Sequence, residues 1–190
     1  MATTRERMVI STALLVREQG ARATSIDDVL AHSGAPRGSV YHHFPGGRQQ
    51  LLSEAIDYAG EFIAKRIERA ADPLEVLDLL LDDYREQLIG SDFRAGCPVV
   101  AVAVEAGDAE SSLYEHAGAA FGRWQELLEQ RLAASGVKAR RAAELAVLVI
   151  ASIEGAIVMA RARRDIEPID NVHSQLRSLL RAEISEGSSE

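Results

Sequence analysis

Residues that would share one helix face recur along most of the chain. Between positions 5 and 19 they lie three or four apart, and they are Met8, Thr12, Leu15 and Val16. Gly20 then ends this first helix. Similar stripes run over residues 48–70, 73–90, 111–134, 138–164 and 169–184, with a short apolar segment at 97–106. Because the apolar spacing is helical and no strand-type alternation accompanies it, the pattern predicts an all-α protein.

Two short helices are predicted after Gly20. The stretch from Thr24 to Asp28 begins with hydroxyls and has a carboxylate three positions later, which is the spacing of a capping box. Gly34 and Pro36 then predict a turn of three or four residues before a third helix of about two turns, over residues 36–44. The first fifty residues therefore contain three helices, the last two joined by a tight turn.

The third helix has an apolar inner face and a polar outer face. Val40 and Phe44 lie four apart and point inward. The remaining faces carry hydrogen-bond donors, which are Arg37, Ser39, Tyr41 and His42. A short helix of this kind, placed by a partner helix across a tight turn, has the geometry that enters a DNA major groove.

The distribution of charge along the chain weakly favours DNA binding by the N-terminal segment. The chain has a net charge of −8, which by itself disfavours nucleic-acid binding. Residues 1–50 hold six basic and four acidic side chains, whereas residues 51–190 hold fifteen and twenty-five. A mildly basic N-terminal segment is compatible with DNA binding and equally with an ordinary solvated surface.

Several other functions are disfavoured by what the chain lacks. Its single cysteine cannot form an intrachain disulfide, and the spacings of metal sites, of a nucleophile elbow and of a phosphate loop are absent. We therefore expect no metal, no cofactor and no enzymatic activity. The uncharged apolar run at residues 145–153 is nine residues long, and the N-terminus has no apolar signal core. We expect a cytoplasmic protein without a membrane span.

The N-terminal segment also fits a known pattern. Ten of its residues match it without a gap, namely Thr24, Ser25, Asp28, Val29, Gly34, Gly38, Ser39, Tyr41, His43 and Phe44. On these residues the segment 5–52 resembles the DNA-binding domain of TetR/AcrR-family transcriptional regulators. Residues 44–51 read FPGGRQQL, one residue longer than the usual family sequence and with arginine in place of lysine. This departure and the segment CPVVA at 97–101 are similar to the LmrA/YxaF-type branch.

The resemblance implies a set of DNA contacts. Contacts to the phosphate backbone are implied for Thr24, Ser25, Tyr41, His42 and Arg48. Contacts to base edges are implied for Arg37, Gly38 and Ser39. Helix capping alone also explains the two hydroxyl residues, and without the family pattern Tyr41 and His42 would be interpreted as ordinary surface.

The helix predicted over residues 138–164 is apolar or small on every side near its centre, so it must be buried all round. A second subunit can cover the side that faces away from the chain's own core. Together with the helix at 169–184 it would form a four-helix interface, which the resemblance also implies. A homodimer would then read the two half-sites of a palindromic operator.

A small-molecule pocket among the helices of residues 51–190 is implied by the resemblance alone. The candidates combine apolar bulk with a polar tip or lie beside such residues, and they are Tyr84, Cys97, Glu105, Phe121, Trp124 and Glu154. Most of them are equally explained as core residues, and Glu154 also as an interface residue.

The chain is thus expected to have a helix-turn-helix domain at 1–50 and a ligand-sensing and dimerisation bundle at 51–190. We expect a repressor released by a small apolar or aromatic effector. The alternative is a helical dimeric interaction protein whose N-terminal DNA-binding domain is not functional.

Overall fold

The computed structural model describes residues 2–105 and 111–187, and over these ranges it is all helical. The helices are α1 (Thr4–Gln19), α2 (Ile26–Ser33), α3 (Ser39–His43), α4 (Gly47–Arg69), α5 (Pro73–Gly90), α6 (Pro98–Glu105), α7 (Ser111–Ala134), α8 (Ala139–Arg163) and α9 (Glu167–Gly187). The all-α class predicted from the sequence is confirmed.

The chain divides into two compact units. The first combines Met1–Glu61 with Cys97–Ala120, and the second combines Phe62–Gly96 with Phe121–Glu190. Helix α6 and the start of α7 therefore pack with the N-terminal helices, although they lie far away in sequence. The first unit is larger than the domain expected at 1–50, and that domain boundary stays a prediction about function.

The helix starts follow the capping signals in the sequence. Ser25 accepts a hydrogen bond from the backbone N–H of Asp28, whose carboxylate accepts from the N–H of Ser25 in return. Asp72 accepts from the N–H groups of Leu74 and Glu75, with Pro73 at the first helical position. Gly20, at a φ of 89°, ends α1 as predicted.

Helix α3 is shorter than predicted. It has 5 residues rather than about two turns, and residues 34–38 separate it from α2, so the expected turn of three or four residues was also too short. The reason is a separate turn before the helix: Ser39 donates its N–H to the carbonyl of Pro36 at 2.9 Å and its hydroxyl to the same oxygen at 2.6 Å. Pro36 therefore lies in the turn and does not begin the helix.

Helix α8 has two apolar faces. The face packed within its own unit consists of Ala142, Leu145, Ala146, Val149, Ile153, Ala156, Ile157 and Ala160. The opposite face is exposed, and its large residues are Val147, Leu148, Val158 and Met159. Only one face of the helix finds partners within the single chain, as expected, and burial of the other face by a second subunit stays a prediction.

Among the described residues, α8 is also the helix that is long and apolar enough to cross a membrane by length and composition. An 18-residue window has a mean hydropathy of 2.0, with 39% of the window buried. The nine-residue run used above was therefore too narrow a criterion for excluding a span. A core helix of a soluble protein meets the same criteria, so composition alone does not distinguish the two.

Helices α5 and α9 are joined by a charged cluster. Asp78 accepts hydrogen bonds from Nε2 of His173 at 2.7 Å and from the guanidinium of Arg177. Burial raises the pKa of Asp78, but the hydrogen bonds from His173 and Arg177 outweigh it, so the pKa lies below its ordinary value of 3.8. The charged form of Asp78 therefore stabilises the packing of α9 on α5.

This shift predicts a pH dependence of stability. Because the folded-state pKa of Asp78 is depressed, its contribution is present above the unfolded pKa and is lost as the pH falls through the folded value. Asp78→Asn should lower the free energy of unfolding at pH 7. The difference in unfolding free energy between the variant and the native chain should shrink below pH 3.8. Urea unfolding at a series of pH values measures this. Glu126→Gln, at an exposed position of α7, is the control, and a gap for Asp78→Asn that stays constant with pH would contradict the prediction.

Candidate nucleic-acid interface and effector cavity

The outer side of α3 and the turn before it form an exposed polar surface. Arg37, Gly38, Tyr41 and His42 are exposed, and Ser39 is half-buried. The side chain and backbone of Tyr41 together retain 67% of their accessible area. All five were predicted as DNA-contacting residues, and the structure brings them together on one short segment.

This segment rests on a buried apolar base. Val40 and Phe44 are fully buried in a core with residues of α1, α2 and α4, which are Met8, Val9, Val29, Leu30 and Leu51. The guanidinium of Arg5 lies 5.1 Å from the centre of the Phe44 ring. A helix of 5 residues has little stability of its own, so this core holds its outer residues in position.

Thr24 and Ser25 occupy the start of α2, but their hydroxyls are engaged within the chain. Thr24 is 2% exposed and donates its hydroxyl to the carbonyl of Gly20 at 2.8 Å. Ser25 is exposed, and its hydroxyl donates to Asp28 at 2.6 Å. The hydrogen bond from the Ser25 side chain, followed by that from its backbone, lowers the pKa of Asp28. The surface at the start of α2 thus includes a carboxylate, and the phosphate contacts expected for Thr24 and Ser25 stay a prediction.

Arg48 is half-buried and points toward the loop before α2. Its Nε donates to the carbonyl of Thr24 at 2.9 Å, and its terminal nitrogen donates to the carbonyl of Ala21. The guanidinium therefore satisfies two carbonyl groups of residues 21–24 and fixes the approach to α2. The expected phosphate contact of Arg48 stays a prediction, whereas this structural role follows directly from the geometry.

Glu105, predicted as a ligand residue, lies at the end of α6 in the first unit. Its Oε2 accepts a hydrogen bond from the backbone N–H of Arg22 at 3.0 Å. A Cβ at Gly20 would overlap the same carboxylate, so the glycine permits the close approach. Glu105 thus connects α6 to the loop between α1 and α2.

The second unit contains a small apolar cavity. It is lined by Ile63, Ile67, Leu80, Tyr84, Trp124, Leu128, Val149, Ile150, Ile153 and Glu154. The space in it that is wide enough for water is about 20 Å³, so the side chains nearly fill it. The structure therefore brings together Tyr84, Trp124 and Glu154 of the predicted ligand residues.

The other predicted ligand residues do not line this cavity. Phe121 packs edge-on against Trp124, with ring centres 5.3 Å apart, and supports the tryptophan from behind the lining. Cys97 and Glu105 belong to the first unit, where Cys97 is buried. A ligand role for these residues has no support from the cavity geometry.

Known proteins resemble this chain over nearly its whole length. Residues 11–55 match the family described as bacterial regulatory proteins, tetR family, and residues 73–175 match the C-terminal domain of LmrA/YxaF-like transcriptional regulators. An uncharacterised HTH-type transcriptional regulator of Mycobacterium tuberculosis is 58% identical over 189 residues, which cover 97% of each chain. The chain belongs to the TetR family.

Other relatives of this TetR-family regulator agree. The HTH-type transcriptional regulator LmrA of Bacillus subtilis is 31% identical over 181 residues, or 93% of this chain and 96% of LmrA. A TetR regulator from Legionella pneumophila has a TM-score of 0.80 at 21% identity, covering 94% and 98% of the two chains, and it shows the fold. TetR-family proteins are transcriptional regulators that bind DNA through a helix-turn-helix and dimerise. The family and the branch inferred from residues 24–51 and 97–101 are both confirmed.

The sequence of this TetR-family regulator also held a signal for the cavity residues that we did not predict. Several lie four positions from a predicted one on the same helix, as in the pairs Leu80 with Tyr84 and Ile150 with Glu154. Side chains four apart share a helix face, so they enter the same space. What the sequence did not contain is which helix faces meet, because that depends on packing between distant segments.

Proposed function

We propose that this regulator is a repressor that binds a palindromic operator as a homodimer in the cytoplasm and is released by a small apolar or aromatic effector. The observation that carries the proposal is the exposed donor surface of α3 above its buried base. Arg37 and Tyr41 are exposed, whereas Val40 and Phe44 in the same segment are fully buried. To recognise the edges of DNA bases, a protein must hold hydrogen-bond donors outward on a rigid support, and the buried side of α3 provides that support.

The exposed face of α8 supports a dimer. Four large apolar residues there are each between 45% and 53% exposed: Val147, Leu148, Val158 and Met159. Exposed apolar residues clustered on one face mark an interaction surface. The small residues Ala151 and Gly155 lie on the same exposed face and permit close approach of a second helix. A second copy of this chain is the occupant that the family's dimerisation favours.

Release by an effector would act through the same helix. Val149 and Ile153 of α8 line the cavity, while Leu148 lies on the exposed face. Because the cavity has room for about one water molecule, an effector must displace lining side chains to enter. A ligand that prefers a shifted α8 would favour a dimer geometry with lower operator affinity.

Fluorescence anisotropy with genomic fragments at physiological salt tests the DNA-binding part. We expect at least one fragment to bind much more tightly than random DNA of equal length, and to bind a dimer. A dimer with no preferred fragment and no salt-dependent DNA affinity would support the alternative of a helical interaction protein instead.

Arg37 gives a sharper prediction. Arg37→Ala should weaken binding to the preferred fragment by about 1–3 kcal/mol and relax discrimination among bases, because a guanidinium can form a bidentate pair with guanine. Competition binding with singly substituted operators measures both effects. Arg140→Ala is the matched control, since it removes an equal charge from a side chain that is 94% exposed on α8. An equal loss of affinity for operator and random DNA would show that Arg37 contacts only phosphate.

A further inference from the structure

The turn that follows α3 is fixed by hydrogen bonds to its own backbone and to α4. It comprises residues 44–47, and the N–H of Gly47 closes it by donating to the carbonyl of Phe44 at 2.8 Å. The N–H of Gly46 donates to Oε1 of Gln50 at 2.9 Å. A Cβ at Gly46 would lie 3.0 Å from the Cβ of Gln50, so a glycine suits this close approach. The turn is therefore held against the first turn of α4.

Polar contacts extend from this turn to helix α1. Nε2 of Gln50 donates to Oε1 of Glu54 at 3.0 Å. Nη2 of Arg5 lies 2.7 Å from the same oxygen and 2.6 Å from Oε2 of Glu54. We call Gly46, Gln50, Glu54 and Arg5 the Arg5 network. Because the guanidinium also lies 5.1 Å from the centre of the Phe44 ring, Arg5 supports the turn both through this network and through the ring.

The supported turn adjoins the side chains proposed to contact DNA. The exposed Tyr41 and His42 lie three and two positions before Phe44, and α3 itself has 5 residues. A helix this short does not hold its own orientation. Side chains that recognise a ligand must be held to within about 0.5 Å of their productive positions. The orientation of α3 therefore depends on the apolar core beneath it and on the contacts that fix the turn at its end.

We infer that Arg5 and Glu54 are positioning residues for operator recognition, and that Arg5 acts on α3 through the Arg5 network instead of binding a DNA phosphate. This inference rests on the proposed function, because it concerns discrimination between the operator and other DNA. The side chains of Arg5 and Glu54 are 47% and 24% exposed, and an ion pair this exposed contributes little to global stability. Variants at either position should therefore stay folded.

The two possible roles of Arg5 predict opposite results for Glu54→Ala. If Arg5 binds a phosphate, removal of the nearby carboxylate should strengthen binding to DNA of any sequence, because it leaves more positive charge at the interface. If Arg5 positions α3, the same substitution removes a support of the turn and should weaken binding to the operator alone. The sign of the change in affinity thus distinguishes the two roles.

Anisotropy titrations of the full-length dimer, with the preferred fragment and with random DNA of equal length, test the inference over a range of salt concentrations. Arg5→Ala and Glu54→Ala should each lower operator affinity by about tenfold, comparable with one mismatched base pair, and should change random-DNA affinity by less than about twofold. The slope of log affinity against log salt should stay within about 0.3 of the native value, because no phosphate contact is lost. The double variant should lose no more than either single variant, since both act through one network.

Three further variants separate this positioning role from charge and from stability. Gln50→Ala interrupts the Arg5 network without changing a charge and should also lower operator affinity. Gln49→Ala is its matched control, because Nε2 of Gln49 donates to Ser112 of α7 at 2.9 Å, and it should keep native discrimination. Arg5→Lys keeps the charge and can pair with Glu54, so it should restore most of the discrimination lost in Arg5→Ala. Circular dichroism and sedimentation check that each variant is folded and dimeric, and Gln50→Ala decides the question if a variant with altered charge does not fold.

Two results would overturn the inference. Native discrimination in Glu54→Ala and Gln50→Ala would show that the Arg5 network does not position α3. An equal loss of affinity for operator and random DNA in Arg5→Ala, with a salt slope smaller by about 0.9, would show that Arg5 binds a phosphate. A failure of the proposed function is distinct from both, because the native protein would then have no preferred fragment. That result would overturn the inference as well.

Discussion

Phe44→Ala is expected to lower the free energy of unfolding by about 3–5 kcal/mol, the range for removing a buried phenylalanine side chain. Phe44 is fully buried, and it packs with Met8, Val40 and Leu51 beneath the exposed surface of α3. The substitution would leave a cavity and would also remove the ring beneath the guanidinium of Arg5. Because α3 has 5 residues and depends on this base, DNA affinity should fall together with stability. Urea unfolding at fixed protein concentration measures the change.

Tyr41→Ala is the matched control for Phe44→Ala. Tyr41 lies three positions earlier in the chain and is 67% exposed, so its loss should change stability by no more than about 0.5 kcal/mol. It should nevertheless weaken DNA binding, since it removes an exposed donor of the proposed interface. A larger loss of stability for Tyr41→Ala than for Phe44→Ala would show that the base of α3 is misassigned.

Local features of this fold could be predicted because their causes lie within a few residues. Asp28 lies three positions after Ser25, so the capping box forms from neighbours alone. Asp72 before Pro73 likewise specifies the start of α5, and Gly20 specifies the end of α1. The length of α3 was less well predicted, because Ser39 bonds to the carbonyl of Pro36 in a turn that competes with a longer helix.

Contacts between distant segments could not be predicted in this way. The guanidinium of Arg48 bonds to the carbonyl of Thr24, 24 positions earlier, and the carboxylate of Glu105 bonds to the N–H of Arg22, 83 positions earlier. Sequence reasoning assigned these two side chains to DNA and to an effector, since a charged residue shows its chemistry in the sequence but not its partner. Their partners were set by how α4 and α6 pack in the first unit.

Helix α8 shows both what the sequence could predict and what it could not. Apolar residues surround the centre of α8, and from them we predicted correctly that a single chain could not bury every face of the helix. The sequence did not say which side its own chain would cover. The structure does: Val149 and Ile153 are buried, while Leu148 and Val158 are exposed. A surface substitution can therefore be aimed at the interface without disturbing the core.

Leu148→Glu is expected to convert the dimer to a monomer. Leu148 is 45% exposed in the single chain, so glutamate can be accommodated there without loss of the fold, but a charge buried between two subunits without a partner is strongly unfavourable. Sedimentation should then give a mass of 20.6 kDa instead of twice that value. Operator affinity should fall by about 10²–10⁴-fold, because a monomer binds half-sites one at a time.

Ile89→Glu distinguishes an interface from a general effect of a new charge. Ile89 is 58% exposed in the last turn of α5, so this variant exchanges an exposed aliphatic residue for glutamate outside α8. It should stay dimeric and bind the operator as the native protein does. A dimeric Leu148→Glu protein with native operator affinity would place the interface on another surface. It would also remove the reason to expect that an effector beside Val149 and Ile153 controls DNA binding through α8.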